Sequence, residues 1–452
     1  MDGPANVTIQ RVIDGGYCIG CGACSLIEPR IRVDFNDYGD LQAVLPPGLD
    51  DRTLRAAAEV CPFATTVDES QIGDSVFGSA PSSHPRIGRY EDLRAGYAPS
   101  TRAGGSSGGI VTWLLQSLLE RGDIDAAIHV GPAEGSSRFF DYRLSSDSTS
   151  IQQGATSFYY PVSMDQILAI VRSRPGRYAI TGVPCFHKAL RRLRAVDSVL
   201  DARIRFQIGI VCGQMKSAHY MDYLVELAGG KSPVAQACFR RKVPGRPAND
   251  YAFEAIPTAK AGSPAEPIRL LNSRIGINWG MGYFKPEACD YCDDVLAETA
   301  DIAAMDAWLP RYVSDGDGWS LVVTRKPELV RLLDDAQEQG SLVGQQVSAD
   351  DVVGSQQGGF NHRQDALPYR LHLKRNSEAW VPPKRQEASG KLPFILKIEQ
   401  RLRMRLRRRS REMWLLTGAV GQTAKFVSCM SRDVFAYRQL MRVKRWLNRL
   451  AG

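Results

Sequence analysis

The stretch Tyr178-Ala-Ile-Thr-Gly-Val-Pro-Cys-Phe-His-Lys-Ala-Leu-Arg-Arg-Leu193 sets the reading of the whole chain. Tyr178–Thr181 is a short apolar run of strand character, Gly182 and Pro184 interrupt it, and from Lys188 the apolar and basic residues follow helical spacing. A strand that feeds a helix in this way is half of a βαβ unit, and open sheets built from such units hold ligands at the carboxyl ends of their strands. Cys185 stands at such an end, and Cys212-Gly213 closes the next run, Ile208–Val211, in the same manner. Further out, the strand-like runs Ala126–Val130, Arg205–Val211 and Trp319–Val323 alternate with the amphipathic stretches Ile110–Arg121, Lys188–Ala195 and Lys326–Gln339. Residues 88–346 are therefore expected to form a mixed domain of the α/β or α+β class.

What flanks this domain differs in composition. Residues 1–75 are loop-rich, with β-like pieces such as Ile31–Phe35, and read as a small separate module; Gly78-Ser-Ala-Pro-Ser-Ser-His-Pro85 reads as a linker. Residues 347–390 lack periodicity and read as a second connector. Residues 391–452 read as a helical tail, because Ile398, Leu402 and Leu406 recur at every fourth position between arginines. The formal charge of +8 belongs to that tail: Lys391–Gly452 holds 16 basic and 3 acidic residues, a net +13 that leaves −5 for the rest. With 44% hydrophobic and 23% charged residues in 452, the composition is that of a folded protein of several domains, and no apolar run approaches the ~18 residues that span a bilayer. The start, MDGPANVTIQ, has no secretory pattern, so a cytoplasmic, reducing location is expected and disulfides are a poor account of the ten cysteines.

Four of those cysteines lie in the amino-terminal module. Cys18-Ile-Gly-Cys21-Gly-Ala-Cys24 places three thiols at the spacing that wraps three corners of a [4Fe–4S] cubane, and Cys61-Pro62 supplies the fourth ligand. Glu28-Pro29 stands where a two-cluster ferredoxin carries its next cysteine, so one cluster is expected here. Zinc prefers two separated pairs and fits this run poorly. Cys289-Asp-Tyr-Cys292 is a second motif, open to zinc on its own; with Cys185 and Cys212 at strand ends it makes a second set of four, unless those two are ordinary core thiols. Cys238 and Cys429 remain as unassigned thiols.

The loop Arg102-Ala-Gly-Gly-Ser106-Ser107-Gly108-Gly109 runs into an apolar helix. Small residues let a ligand approach the backbone, and amides at a helix start favour a phosphate, so a flavin or dinucleotide phosphate fits; a serine-capped flexible loop reads equally well. Arg240-Arg241-Lys242 reads as a solvated charged face or an anion clamp, His187 and His219 as structural or proton-transfer residues, and Asp301 and Asp306 as turn carboxylates or hydroxyl ligands.

In order and spacing, CIGCGAC with a later CPF, GSSGGIVTWLLQSLLERGDIDAAI, ITGVPCFHKALRRL, IGIVCG, FRRK and CDYCDDVLAETADIA followed by DAW together resemble the coenzyme F420 hydrogenase/dehydrogenase beta-subunit family, over about residues 14–345. That family also takes in 7-hydroxymethyl chlorophyll a reductases and related divinyl chlorophyllide reductases. The resemblance implies an FAD-binding central domain with an adjacent [4Fe–4S] cluster, and a ferredoxin-like module that adds another. Carried over by position, it makes Ser106, Ser107, Gly108, Gly109 and Thr112 flavin contacts and Cys185, Cys212, Cys289 and Cys292 cluster ligands. Met305-Asp306-Ala307-Trp308 and Phe186-His187 depart from the family's usual Gly-Asp-Xaa-Trp and Gln-Ile.

The expectation is an iron–sulfur flavoprotein that passes electrons between two [4Fe–4S] clusters and FAD, to or from a deazaflavin coenzyme or an organic substrate, with a one-electron partner such as ferredoxin. The alternatives are a ferredoxin-dependent tetrapyrrole reductase, a redox enzyme of cell-surface polysaccharide synthesis, or a non-enzymatic zinc scaffold working through its tail. In the tail, Arg401, Arg403, Arg405, Arg407, Arg408, Arg409 and Arg411 beside Leu402, Leu406, Trp414 and Leu415 suit an anionic membrane surface or an acidic protein; no motif points to specific nucleic-acid binding.

Overall fold

A computed structural model describes residues 7–133, 138–258, 266–275, 278–417 and 421–451; the first six residues of the amino-terminal module lie outside them. The centre is an eight-stranded sheet whose strands are numbered in chain order: β1 Asp92–Tyr97, β2 Ala126–Pro132, β3 Phe140–Ser145, β4 Tyr178–Gly182, β5 Ile204–Ile210, β6 Ile302–Asp306, β7 Ser320–Thr324 and β8 Val343–Gln346. Their order is β8-β1-β7-β6-β5-β4-β2-β3. β2, β4, β5 and β6 run parallel in the middle, and antiparallel pairing adds β3 at one edge and β7, β1 and β8 at the other.

Alternate residues of the central strands serve two apolar layers, as the period of two requires. Ile128, Tyr178 and Ile180 pack with Leu168, Val171, Leu190 and Leu193 from the helices Asp165–Ser173 and Pro184–Arg194. Ala127, Ala179 and Val322 pack on the other face with Leu114, Leu118, Leu329 and Leu333 from Ile110–Glu120 and Pro327–Glu338. The parallel strands thus point their carboxyl ends toward one rim of a helix–sheet–helix sandwich. A separate three-stranded antiparallel sheet, Val234–Arg241, Ala252–Pro257 and Ile268–Leu271, meets that rim where Arg240 pairs with Asp306 at the end of β6.

The flanking segments are more firmly integrated than their composition suggests. Ser82–His84 and Gly88–Tyr90 form a hairpin in what reads as a linker. Across the expected module boundary, Met164 N donates to the Cys21 carbonyl at 3.0 Å and Arg172 Nη2 to the Leu26 carbonyl at 2.9 Å. Residues 347–390 are not a bare connector: they form the helices Ala349–Ser355, Gln357–Phe360 and Leu367–Arg375 with a π-turn at Asn361–Asp365, and bury His362, Arg363 and Arg370. Periodicity misses them because the elements are short and buried Arg363 and Arg370 interrupt the apolar pattern of Val352, Phe360, Leu367 and Leu371, paired instead with carbonyls of the main domain.

The basic tail is two helices, Phe394–Leu416 and Thr423–Ala451. Leu406, Trp414, Phe426 and Met430 join Tyr223 and Phe284 in the main core. Arg407 pairs with buried Asp290 at 2.6 Å, Arg411 with Asp40, and Arg405 and Arg409 with Asp433 at 2.9 and 2.7 Å. Much of the first tail helix's charge is therefore paired with the molecule's own carboxylates. Among the described residues no helix is long and apolar enough to cross a membrane.

Candidate functional site: two cysteine quartets and a cavity at the strand ends

The first quartet is built on one tight loop. Gly20 and Gly22 have φ of +65° and +81°, and a Cβ on Gly20 would meet Leu41 Cβ at 2.4 Å, so the curve from Cys18 to Cys24 needs glycine at both points. Cys24 falls in the short helix Ala23–Ile27; Cys61 follows the helix Asp51–Glu59, whose start is capped by the Asp50 carboxylate accepting from Thr53 N. The four thiols lie within electrostatic reach of one another, and burial pushes each upward in pKa, Cys61 to about 12. Thiolates are the metal-ligating form, so four buried thiols facing each other suit a group that brings positive iron with it. The Ala43 amide donates to Cys18 Sγ at 3.3 Å, the kind of contact that steadies a ligand sulfur.

The second quartet is drawn from remote segments. Cys185 lies in the first turn of Pro184–Arg194, Cys212 just past β5, Cys289 in the 3₁₀ turn Glu287–Tyr291, and Cys292 at its end. Burial raises the Cys185 thiol, and Cys292, Cys212 and Cys289 raise it further; Cys21 acts on it as well, so the two quartets adjoin. Burial, with Cys212 adding to it, holds Cys289 up at about 12. Met215 N donates to Cys289 Sγ at 3.4 Å. Two buried cations stand around this quartet. Arg363 interacts with Cys292, Cys212 and Cys289, and Lys384, paired with Asp293 at 3.1 Å, acts on Cys292. Among the described residues no three His, Cys, Asp or Glu are gathered around a point that one metal ion could occupy. A single zinc needs its thiolates within about 2.3 Å of one centre, whereas a cubane's ligands stand at four separate corners.

A cavity of about 460 Å³ opens at the carboxyl ends of β2, β4, β5 and β6. Ser106, Ser107, Gly109 and Thr112 are in its wall, as is Cys212, so the cavity reaches the second quartet. Gly108 lies behind that wall: a Cβ there would meet the Gly96 carbonyl at 2.6 Å and Ser320 N at 2.9 Å. Gly109, at φ +78°, precedes the helix Ile110–Glu120 without a side-chain cap, which leaves its first amides to a ligand. The loop itself is fixed. Ser107 Oγ donates to the Trp319 carbonyl at 2.7 Å, Ser106 Oγ accepts from Ser157 N at 2.8 Å, and Lys242 Nζ donates to the Arg102, Ser107 and Asp317 carbonyls at 2.5, 2.8 and 2.5 Å. Desolvation brings Lys242 down to about 8. Tyr159, Tyr251, Trp279 and Trp308 give the cavity an aromatic lining as well.

The remaining candidates separate clearly. Arg240 is buried in the cavity wall and forms a two-pronged pair with Asp306 at 2.7 and 2.8 Å, while Arg241 pairs outward with Glu254 at 3.1 Å, so the three adjacent cations have three different tasks. Asp301 accepts from Gln207 N at 2.7 Å and from Arg191 at 2.6 Å, a structural tie. His187 is enclosed between the Ile208 carbonyl at 3.0 Å and the Gln207 side chain at 3.0 Å, and burial depresses it to about 4. His219 contacts the Asp37 carbonyl at 3.1 Å, away from the cavity. Cys238 is half-buried beside Thr156, and Cys429 is exposed. Sequence reasoning missed Arg363 and Lys216. Lys216 lines the cavity with its Nζ on the Tyr283 carbonyl at 2.6 Å and over the Tyr220 and Trp279 rings at 4.5 and 4.9 Å, and burial pushes its pKa well down.

Comparison with known proteins agrees with this architecture. The F420-reducing [NiFe] hydrogenase complex from Methanosarcina barkeri contains a chain that superposes with a TM-score of 0.51 at 17% identity, covering 67% of this chain and 99% of that one. One of the subunits of the F(420)H(2) dehydrogenase of Methanosarcina mazei is 25% identical over 215 residues, 47% of this chain and 57% of the relative. The coenzyme F420-dependent sulfite reductase of Methanocaldococcus jannaschii is 26% identical over 191 residues, 41% of this chain and 26% of the relative. The chain thus spans little more than half of one curated relative and about a quarter of the other. The amino-terminal domain profile of coenzyme F420 hydrogenase/dehydrogenase beta subunits matches residues 94–169, and the carboxy-terminal one matches residues 176–350. With the glycine loop, the second quartet and nearly all of the cavity wall inside those two matched regions, the chain belongs to the coenzyme F420 hydrogenase/dehydrogenase beta-subunit family.

Proposed function

We propose that this chain is an iron–sulfur flavoprotein oxidoreductase, with one [4Fe–4S] cluster on Cys18, Cys21, Cys24 and Cys61 in a ferredoxin-like module, a second on Cys185, Cys212, Cys289 and Cys292, and FAD in the cavity. The observation that carries this reading is continuity: Cys21 acts on Cys185, and Cys212 lines the cavity, so the three sites form an unbroken series. When bound, a flavin exchanges electron pairs as hydride and iron–sulfur clusters carry them singly, which suits a converter between a one-electron protein such as ferredoxin and a two-electron substrate. Both curated relatives have redox names that include F420, and this supports a deazaflavin coenzyme as the hydride partner.

The protein's own residues bind, orient and shield. Lys242 holds the glycine loop in one conformation through three carbonyls, so the amides before Ile110 are already placed for a phosphate. Asp306 fixes the Arg240 guanidinium, which stacks on Tyr251 at 4.7 Å and presents a fixed positive charge to the ligand. Tyr159, Trp279 and Trp308 add apolar surface to the lining, which favours a ring over water there. Anaerobic purification with iron, sulfide, zinc and flavin assays on one sample tests the proposal. About eight iron, eight sulfide and one FAD per chain are expected from two four-ligand clusters; zinc without flavin overturns it.

The second tail helix supports a further part of this reading, an anionic membrane surface as the place of work. Lys425, Arg432, Arg438, Arg442, Arg445 and Arg449 are exposed on it, none with a carboxylate partner among the described residues, and Phe435 and Trp446 are 63% and 60% exposed between them. Aromatic anchors flanked by arginines suit a lipid interface.

A further inference from the structure

Arg363 lies beyond residue 350, where the family match ends, on the π-turn Asn361–Asp365. It is 2% exposed. Among the described residues no carboxylate pairs with it: Nη1 donates to the Asp294 carbonyl at 2.5 Å and Nη2 to the Gly213 carbonyl at 3.0 Å. These two carbonyls belong to the separate backbone segments that carry Cys292 and Cys212, so one planar fork ties both ligand loops together. The Nε–H is buried without a protein acceptor. The negative groups that face the guanidinium are the Cys292, Cys212 and Cys289 sulfurs. A buried arginine is costly unless its charge and its donors are met, and beyond the two carbonyls this guanidinium meets the sulfurs of the second quartet, with the Cys212 side chain as a hydrogen-bond partner.

We propose that Arg363 is a positioning residue for the second cluster, clamping the Cys212 and Cys292 loops and donating an N–H to a sulfur of the cluster, and that it thereby raises the reduction potential of that cluster. The inference rests on the two-cluster reading above. Its physical basis is that reduction adds an electron to a buried anionic group, and a fixed cation with an N–H aimed at sulfur stabilises the reduced state more than the oxidised one. Among the described residues no arginine is seen to act on the first quartet's sulfurs in this way; the acid Asp40 acts on Cys18, and the cation Lys188, paired with Glu69, acts on Cys61. The second cluster is accordingly the better electron acceptor of the two, which directs single electrons from the amino-terminal module toward the cavity.

The test is an anaerobic redox titration followed by electron paramagnetic resonance on the full, reconstituted chain, with the second signal assigned by its loss in Cys292→Ser. Arg363→Gln is expected to keep its iron and leave the first cluster's potential unchanged, while the reduction equilibrium of the second falls at least tenfold, which for a one-electron couple is about 59 mV. Arg363→Lys, which keeps the charge but loses the fork, is expected to fall between. Unchanged second-cluster potential in Arg363→Gln overturns the inference. If that variant loses its second cluster, Arg363→Lys decides: a lowered potential supports the assignment and a wild-type potential overturns it. Wild-type protein that takes up no iron beyond the first quartet overturns the cluster reading itself, and this outcome is distinct from a loaded second cluster that is indifferent to residue 363.

Discussion

The two cysteine quartets present the same four donors in opposite ways. The first is nearly contiguous: three thiols within seven residues on a glycine-shaped loop, with Cys61 brought in by one short helix. The second is assembled from the start of one helix, the end of β5 and a 3₁₀ turn, and it exists only when the central sheet is complete. Its surroundings are correspondingly more specialised, because each converging segment brings further side chains; Arg363 and Lys384 arrive from outside the matched domain altogether. Local motifs place donors, and the assembled site also sets their electrostatic environment.

The largest expected effect breaks the quartets apart. Cys292→Ser should cost about half of the iron and sulfide, on the expectation of four of each per cluster, and leave the first cluster's spectrum in place. Cys21→Ser should do the reverse, since its loop sits at the edge of the main core. Iron and sulfide analysis with electron paramagnetic resonance reads both. A single substitution that removed all the iron would show that the two quartets fold as one unit, and the contrast between them would then be wrong.

The same contrast explains what could be read in advance. Tyr178–Thr181 and Ile208–Val211 reveal their strands because both faces are buried and the runs are apolar, and the glycine loop is legible from its composition. β1, Asp92-Leu-Arg-Ala-Gly-Tyr97, escapes notice because its buried face includes an ion pair, Arg94 to Asp92 at 2.6 Å, which looks like surface in a sequence. Residues 347–390 read as a connector for the same reason: Arg363, Arg370 and Lys384 are buried through carbonyls and carboxylates far away in the chain. The one usable hint was the density of His and Arg in Asn361-His-Arg-Gln-Asp365, next to no apolar pattern. Among the expected tail arginines, Arg407 and Arg411 turned inward because Asp290 and Asp40 wait for them in the body.

Next in size is a pH effect on the assembled side. His129, in the cavity wall on β2, is buried between the Ser145 hydroxyl at 2.9 Å and the Val130 carbonyl at 3.2 Å, and desolvation depresses it from 6.5 to about 4. Below pH 6.5 the unfolded chain binds a proton that the folded one refuses, so this contribution is complete above about 6.5 and is lost as pH falls toward 4. Over that window the loss amounts to about 3 kcal/mol. Urea midpoints should fall between pH 7 and 5, and His129→Gln should flatten the dependence; an equal slope in the variant would refute the assignment. Gly108→Ala should follow at about 1–3 kcal/mol of overpacking. Its Cβ would strike the Gly96 carbonyl on β1 and Ser320 N on β7, so a loop that looks local depends on remote strands. Flavin retention on desalting should drop at least tenfold, and full retention would mean that the loop does not shape the flavin site.

The smallest effect separates the two tail helices, which carry similar charge but present it differently. Phe394–Leu416 spends Arg405, Arg407, Arg409 and Arg411 on Asp433, Asp290 and Asp40, whereas the outer face of Thr423–Ala451 holds cations that pair with nothing acidic among the described residues. If that outer face meets anionic lipid, each of Arg438→Gln, Arg442→Gln and Arg445→Gln should remove about 1 kcal/mol, roughly a fivefold loss of partitioning onto phosphatidylserine vesicles, and the loss should shrink as salt rises. Arg405→Gln should lose less than any of these, because its half-exposed guanidinium is already paired with Asp433. Equal losses from both helices would mean that binding follows total charge and that the inward pairing has no consequence for where the chain docks. No loss from either would remove the membrane from the account, and the exposed Phe435 and Trp446 would then need a protein to cover them.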